Sequence, residues 1–129
     1  MGQALKSGLI YFGAVFAVAF AFGTLRTLFI VPRIGPFWAV LIEVPILLTI
    51  AWVILGRIQA RPPLTLGQAA VAGAFAFGLL MWAEVALSAL LAGRSFSEHL
   101  ALYARLPEQI GLAGQIGFGL LPMLRTDRR

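Results

Sequence analysis

Three charged side chains, Arg26, Glu43 and Glu84, lie inside apolar stretches long enough to cross a bilayer, and any chemistry in this chain must start from them. A charge in hydrocarbon costs at least ~2.5–3.5 kcal/mol on insertion scales, so such groups pair, face a bundle interior or serve a function. A guanidinium can bind one carboxylate bidentately and still offer donors to another, which suits arginine rather than lysine to the centre of a cluster with two glutamates. Two carboxylates against one guanidinium leave a surplus negative charge, which the cluster would relieve by holding a proton.

The spacing brings these groups to one depth. Arg26 lies six residues before Pro32 and Glu43 eight after Gly35. At ~1.5 Å of rise per residue, both sit roughly 9–12 Å below the same face, able to meet across a hairpin. Glu84 lies nine residues before Gly93, at a comparable depth, and Gln115 falls in the same layer. One polar group from each of four helices therefore predicts a single buried cluster of Arg26, Glu43, Glu84 and Gln115. Two uses fit it. It can tie the helices together and fix their register, or it can bind protons or ions in a permeation path. A path needs polar residues along its other half, where the sequence offers few beyond Thr49 and Gln68, so the structural use ranks first.

Other chemistries lack their residues. The chain has no cysteine and one histidine, which removes thiolate sites, disulfides and multi-histidine metal centres within one chain. His99, with only Glu98 and Glu108 near it in sequence, reads as a solvated surface residue. No Walker loop, zinc motif or nucleophile elbow occurs. The expectation is a protein without enzymatic activity, cofactor or metal. The net charge of +5 sits in short segments flanking apolar runs, which marks topology determinants rather than a nucleic-acid surface.

The elements that must position the cluster follow from composition. The 129 residues are 60% hydrophobic and only 12% charged, against about 25% charged in soluble domains, and the mean hydropathy is +0.93. One all-α, polytopic transmembrane domain over residues 1–129 is expected, with helices at about 8–31, 36–56, 66–92 and 108–124 forming a four-helix bundle. The first apolar run follows Lys6 and passes Ala17-Val18-Ala19, but continues to Val31, too long for a cleaved signal peptide. The myristoylation motif is broken by Lys6. Pro32-Arg33-Ile34-Gly35-Pro36 predicts a tight turn between the first two spans. Pro62-Pro63 is a stiff pair, after which Thr65-Leu66-Gly67-Gln68 is a capping box opening the third span, and Ser95-Phe96-Ser97-Glu98 is a second one. The latter opens a short interfacial helix, about 96–106, with Phe96, Leu100 and Tyr103 as its apolar face and Pro107 as its stop.

Small residues recur as Ala70, Ala74 and Gly78 in the third span and Gly111, Gly114 and Gly117 in the fourth, predicting smooth faces for close helix packing or for another subunit. Trp38 and Trp52 suit the two membrane interfaces, Trp82 a deeper position, and the phenylalanines of the first span face lipid or protein. Lys6, Arg57, Arg61, Arg125, Arg128 and Arg129 share one side of a four-span layout, against Arg33, Arg94 and Arg105 on the other. The positive-inside rule then puts both termini in the cytoplasm.

The stretch from Gly23-Thr24-Leu25-Arg26 through Pro32-Arg33-Ile34-Gly35 to Leu41-Ile42-Glu43-Val44-Pro45 resembles a segment of small, uncharacterised four-span inner-membrane proteins of Gram-negative bacteria, proteobacteria in particular. The resemblance implies a location in the bacterial inner membrane and carries no activity. Small multidrug transporters share the size and span count, but their characteristic glutamate lies in the first span, where this chain has Arg26. Fluoride channels of similar size have a glycine-arginine motif and a polar break in the third span that are not matched. The expected role is an accessory, assembly or stabilising subunit of a larger membrane complex, with lipids and other membrane subunits or a second copy as partners and no nucleic acid. A small proton- or ion-coupled transporter or channel is the alternative, and an intramembrane enzyme ranks last.

Overall fold

The computed structural model describes residues 2–59 and 64–127. Arg61, Pro62-Pro63, Arg128 and Arg129, used in the charge and linker reasoning, lie outside the described residues. Every element among those described is helical.

Helix α1 (Gly2–Leu25) runs through a π turn (Arg26–Ile30) into α2 (Val31–Ile34). Pro32 explains the wide turn. It has no N–H for the carbonyl of Leu28, and its ring would crowd that carbonyl in an α-helix, so the backbone opens by one residue and the Val31 N–H bonds to the Arg26 carbonyl. The expected five-residue turn thus shrinks to a corner at Gly35, whose φ of +86° suits glycine alone, and Pro36 begins α3 (Pro36–Ile58) at the position where a missing N–H is harmless. Proline overrode its usual role because the π turn absorbed the clash.

Helix α4 (Leu66–Ala92) opens on the Thr65–Gln68 capping box and closes at Gly93, left-handed at φ +69°. Ser95 and Glu98 form the second box, opening α5 (Phe96–Ala101), which continues as a 3-10 turn (Leu102–Ala104). Pro107 does not follow a helix here. It lies in the first turn of α6 (Leu106–Asp127), which begins one residue earlier.

The four long helices touch in a ring: α1 packs on α3 and α4, and α6 on the same two. Small residues fill much of the interior, with Ala4, Ala39, Ala51, Ala69, Ala72, Ala76 and Ala83 all buried around the larger Tyr11, Val15, Leu55, Leu80 and Phe118. Bulky apolar residues point outward, Leu90 80% and Trp82 71% exposed. Monomeric soluble proteins rarely expose large contiguous apolar surface, whereas small interior residues and a bulky apolar exterior suit helices solvated by lipid. Three helices are long and apolar enough to cross a membrane: Gly2–Ile34, Pro36–Ile58 and Leu66–Ala92. The fourth expected span exists as a helix, α6, but is not among them. Gln109, Gln115 and the glycines Gly111, Gly114, Gly117 and Gly119 dilute its apolar content.

The smooth faces are only partly those expected. In α4 the packing residues are Ala69, Ala72, Gly73, Ala76, Leu80 and Ala83. Ala74 and Gly78 are exposed, and a Cβ on Gly78 would meet nothing within 4 Å. Ala70 and Ala74 instead edge a shallow groove with Gly73, Phe77 and Ile116. Because α4 is alanine- and glycine-rich on all sides, spacing alone does not choose between adjacent ridges. In α6, Gly114 lies against Val44 and Gly117 against Leu48, as close packing on α3 requires, while Gly111 has open space. The tightest approach is Gly73 to Gly119, where an added Cβ on Gly73 would run into a backbone carbonyl.

Pro122 sits inside α6 and leaves the Phe118 carbonyl without its helical N–H. The Tyr11 hydroxyl fills that gap, donating to the Phe118 carbonyl at 2.6 Å while its ring stacks on Phe118 with centroids 4.3 Å apart. Gln59, fully buried, donates to the Pro122 carbonyl at 3.2 Å. These bonds fasten α6 to α1 and to the end of α3.

Candidate functional site

Arg26 opens the π turn, and its guanidinium donates to the Glu43 carboxylate across the Gly35 corner, forming an ion pair in which Glu43 is buried. The Gln115 side-chain amide of α6 donates to the Glu84 carboxylate of α4. All four residues line one cavity of about 730 Å³. The single cluster centred on Arg26 therefore resolves into two pairs. The direct Arg26–Glu43 contact expected from their near-symmetric placement about the Pro32–Pro36 turn is present; Glu84, expected in the same cluster, is held by Gln115 instead. Among the described residues Glu84 has no ion-pair partner.

The connection between α4 and α6 contributes to the same cavity. Arg94 donates to the Ser88 hydroxyl at 3.3 Å, and Arg105 pairs with Glu108 at 3.5 Å. His99 corrects the expectation of a solvated residue: it is 8% exposed, lines the cavity and meets the Tyr103 ring edge-on, centroids 5.7 Å apart. Its Nδ1, the Oε1 of Gln115 and the Oε1 of Glu108 are buried without hydrogen-bond partners. Phe96 and Leu100, expected with Tyr103 on an apolar face turned to lipid or protein, are 62% and 48% exposed, while Tyr103 is half-buried on the cavity wall. The apolar periodicity of α5 concealed the inward face because that face carries the histidine.

Outside the long helices two groups are electrostatically tuned. Hydrogen bonds from the Ser95 backbone and hydroxyl hold the Glu98 carboxyl below its ordinary range, so it caps α5 as an anion. Burial, then the charges of Glu84 and Glu108, push the Tyr103 phenol above its ordinary value, so it stays a neutral hydroxyl.

The far end of the cavity meets the apolar core. Val15, Ala51, Leu80 and Phe118 belong to both the cavity wall and the core cluster, which continues through Tyr11, Leu55 and Ala76. The cavity is thus a vestibule whose wall includes Arg94 and Arg105 and continues into the apolar core. Among the described residues no group of three His, Cys, Asp or Glu side chains could hold a metal ion. The arrangement can neutralise Glu43, present Glu84 as an anion or as a proton acceptor, and offer three polar atoms without hydrogen-bond partners on residues of the same wall. No family model matches the chain, and no curated protein or solved structure matches it either.

Proposed function

We propose that the chain is an integral protein of the bacterial inner membrane, crossing it four times with both termini in the cytoplasm, and that it serves without enzymatic activity as an accessory, assembly or stabilising subunit of a larger membrane complex. In this reading α6 is the fourth span, made insertable by its packing against α3 and α4, and α5 lies in the extracytoplasmic interface. The exposed face of α4 carries the subunit role. Trp82, Leu90 and Leu91 stand 71%, 80% and 73% exposed toward its C-terminal half, and toward its N-terminal half lies the shallow groove lined by Gly73, Ala74 and Gly119. Bulky apolar side chains and a small-residue groove along one helix are what neighbouring transmembrane helices pack against.

The transport reading has one observation in its favour, the unpaired Glu84 in an accessible vestibule. The apolar core that forms part of the vestibule wall weighs against it.

Reporter fusions after Gly93 and at Arg129 should read periplasmic and cytoplasmic respectively; the reversed pair would overturn the topology. Mild-detergent purification should co-elute a defined membrane partner whose association is lost in Ala74→Leu, with the chain itself still folded by circular dichroism. A folded Ala74→Leu chain that keeps its partners would remove this groove from the subunit role, and wild-type chain eluting alone would end that role.

A further inference from the structure

We propose that the vestibule is a binding site for an amphipathic organic amine, held as its ammonium by Glu84 with Gln115 and His99 as the additional acceptors. The site goes beyond the subunit role and does not depend on it.

The charge inventory points to a cation. Of the carboxylates on the cavity wall, Glu43 is taken by Arg26 and Glu108 pairs with Arg105 at 3.5 Å. Glu84 receives at hydrogen-bond distance the neutral amide of Gln115, with Arg26 and His99 farther off. The remaining arginine on the wall, Arg94, is exposed and turned to the Ser88 hydroxyl. A half-buried carboxylate with no cation in ion-pair contact gains from a charged or acidic partner.

The unused atoms say what kind of cation. With its Nε2 donating to Glu84, Gln115 leaves Oε1 as a buried acceptor, and turning the amide over would set that oxygen against the carboxylate. His99 is more than nine-tenths buried, with Nδ1 unpartnered in the same cavity. In the neutral tautomer protonated at Nε2, Nδ1 is a second acceptor. A primary ammonium carries three N–H donors, one for each of Glu84, Gln115 and His99. A quaternary ammonium has none to give, and a divalent metal would lack its ligands among the described residues.

The walls set the rest of the ligand. Phe16, Val44, Leu48, Leu87 and Leu112 also line the space, and about 730 Å³ falls among ordinary small-molecule sites, which run to about 300–1,000 Å³. A bare alkali ion would leave that apolar volume unfilled. An apolar body bearing one amine uses both kinds of lining.

The full chain in nanodiscs of zwitterionic lipid, titrated calorimetrically with phenethylammonium against empty discs, tests the site. Saturable binding above the empty-disc baseline is expected for phenethylammonium, with phenethyl alcohol and the trimethylated quaternary ammonium binding much more weakly. Glu84→Gln, which keeps the shape and removes the charge, should weaken phenethylammonium at least about tenfold, the scale of one lost charge-assisted hydrogen bond. Gln115→Leu and His99→Phe should each weaken it by less. Alcohol binding as tightly as the amine, or an unchanged affinity in folded Glu84→Gln, would overturn the proposal. If Glu84→Gln does not fold, the comparison of amine with alcohol on the wild-type chain decides.

Discussion

Changing Tyr11 to phenylalanine should destabilise the protein, and changing Pro122 to alanine should remove most of that penalty. The Tyr11 hydroxyl is the donor that the Phe118 carbonyl receives in place of the N–H that Pro122 lacks. Tyr11→Phe keeps the ring, and hence the stack on Phe118 at 4.3 Å, but strips the buried carbonyl of its partner. An unsatisfied buried acceptor costs ~1–3 kcal/mol, and no water is at hand in an apolar core to soften the loss. Pro122→Ala supplies an N–H at the right helical position to bond the same carbonyl. That substitution has its own cost, because Pro122 is fully buried and packs close to Gly73. The informative quantity is therefore the interaction in the double-mutant cycle, expected at ~1–2 kcal/mol. Reversible unfolding in mixed micelles, followed by far-ultraviolet circular dichroism, measures all four corners of the cycle. Equal costs of Tyr11→Phe in the wild-type and Pro122→Ala backgrounds would refute the idea that the tyrosine stands in for the missing helical donor.

Two further outcomes follow from the same packing. Arg26→Leu should cost ~3–5 kcal/mol by stranding the Glu43 carboxylate, and adding Glu43→Gln should recover most of it without any change at Glu84, since Glu84 is held by Gln115; recovery that required Glu84→Gln as well would contradict the two-pair arrangement. Gly73→Ala pushes a methyl into the Gly119 backbone, which cannot swing aside, and should destabilise by ~1–3 kcal/mol, whereas Gly78→Ala meets nothing within 4 Å and should be neutral or gain up to ~1 kcal/mol of helix propensity; the same unfolding measurement separates them.

Much of the fold was legible because long apolar runs, prolines and capping boxes act locally. Thr65-Leu66-Gly67-Gln68 and Ser95-Phe96-Ser97-Glu98 each announce a helix start through bonds closed within four residues, and both starts lie where those residues put them. The common depth of Arg26, Glu43, Glu84 and Gln115 was legible too, since it needs only a rise per residue and a turn position. The Arg26–Glu43 pair was legible as well, from symmetry about the turn; that Glu84 would take Gln115 was not, because it depends on which helices are neighbours. His99 was misread for a related reason. Its surroundings are Glu84, Tyr103 and the ends of other helices, none visible from Glu98 and Leu100 beside it. Likewise Ala70, Ala74 and Gly78 have the right spacing for a packing ridge, but Gly8, Gly119 and the other partners of α4 selected the adjacent one.

The π turn before Pro32 holds one residue more than an α turn of equal reach, and this makes the segment sensitive to length in a way its side chains do not suggest. Each residue of an α-helix advances its neighbours by about 100° around the axis. Losing one residue between Arg26 and Pro32 would let the backbone close into α geometry and swing Arg26 by that angle relative to the Gly35 corner, carrying the guanidinium off the line to Glu43. The inward aim of the arginine is thus a matter of counting. Thr27, Leu28, Phe29 and Ile30 can be exchanged for other lipid-compatible residues and leave the phase intact, but a single deletion among them unpairs a buried charge. Descendants of this sequence should therefore vary in spelling here far more readily than in length.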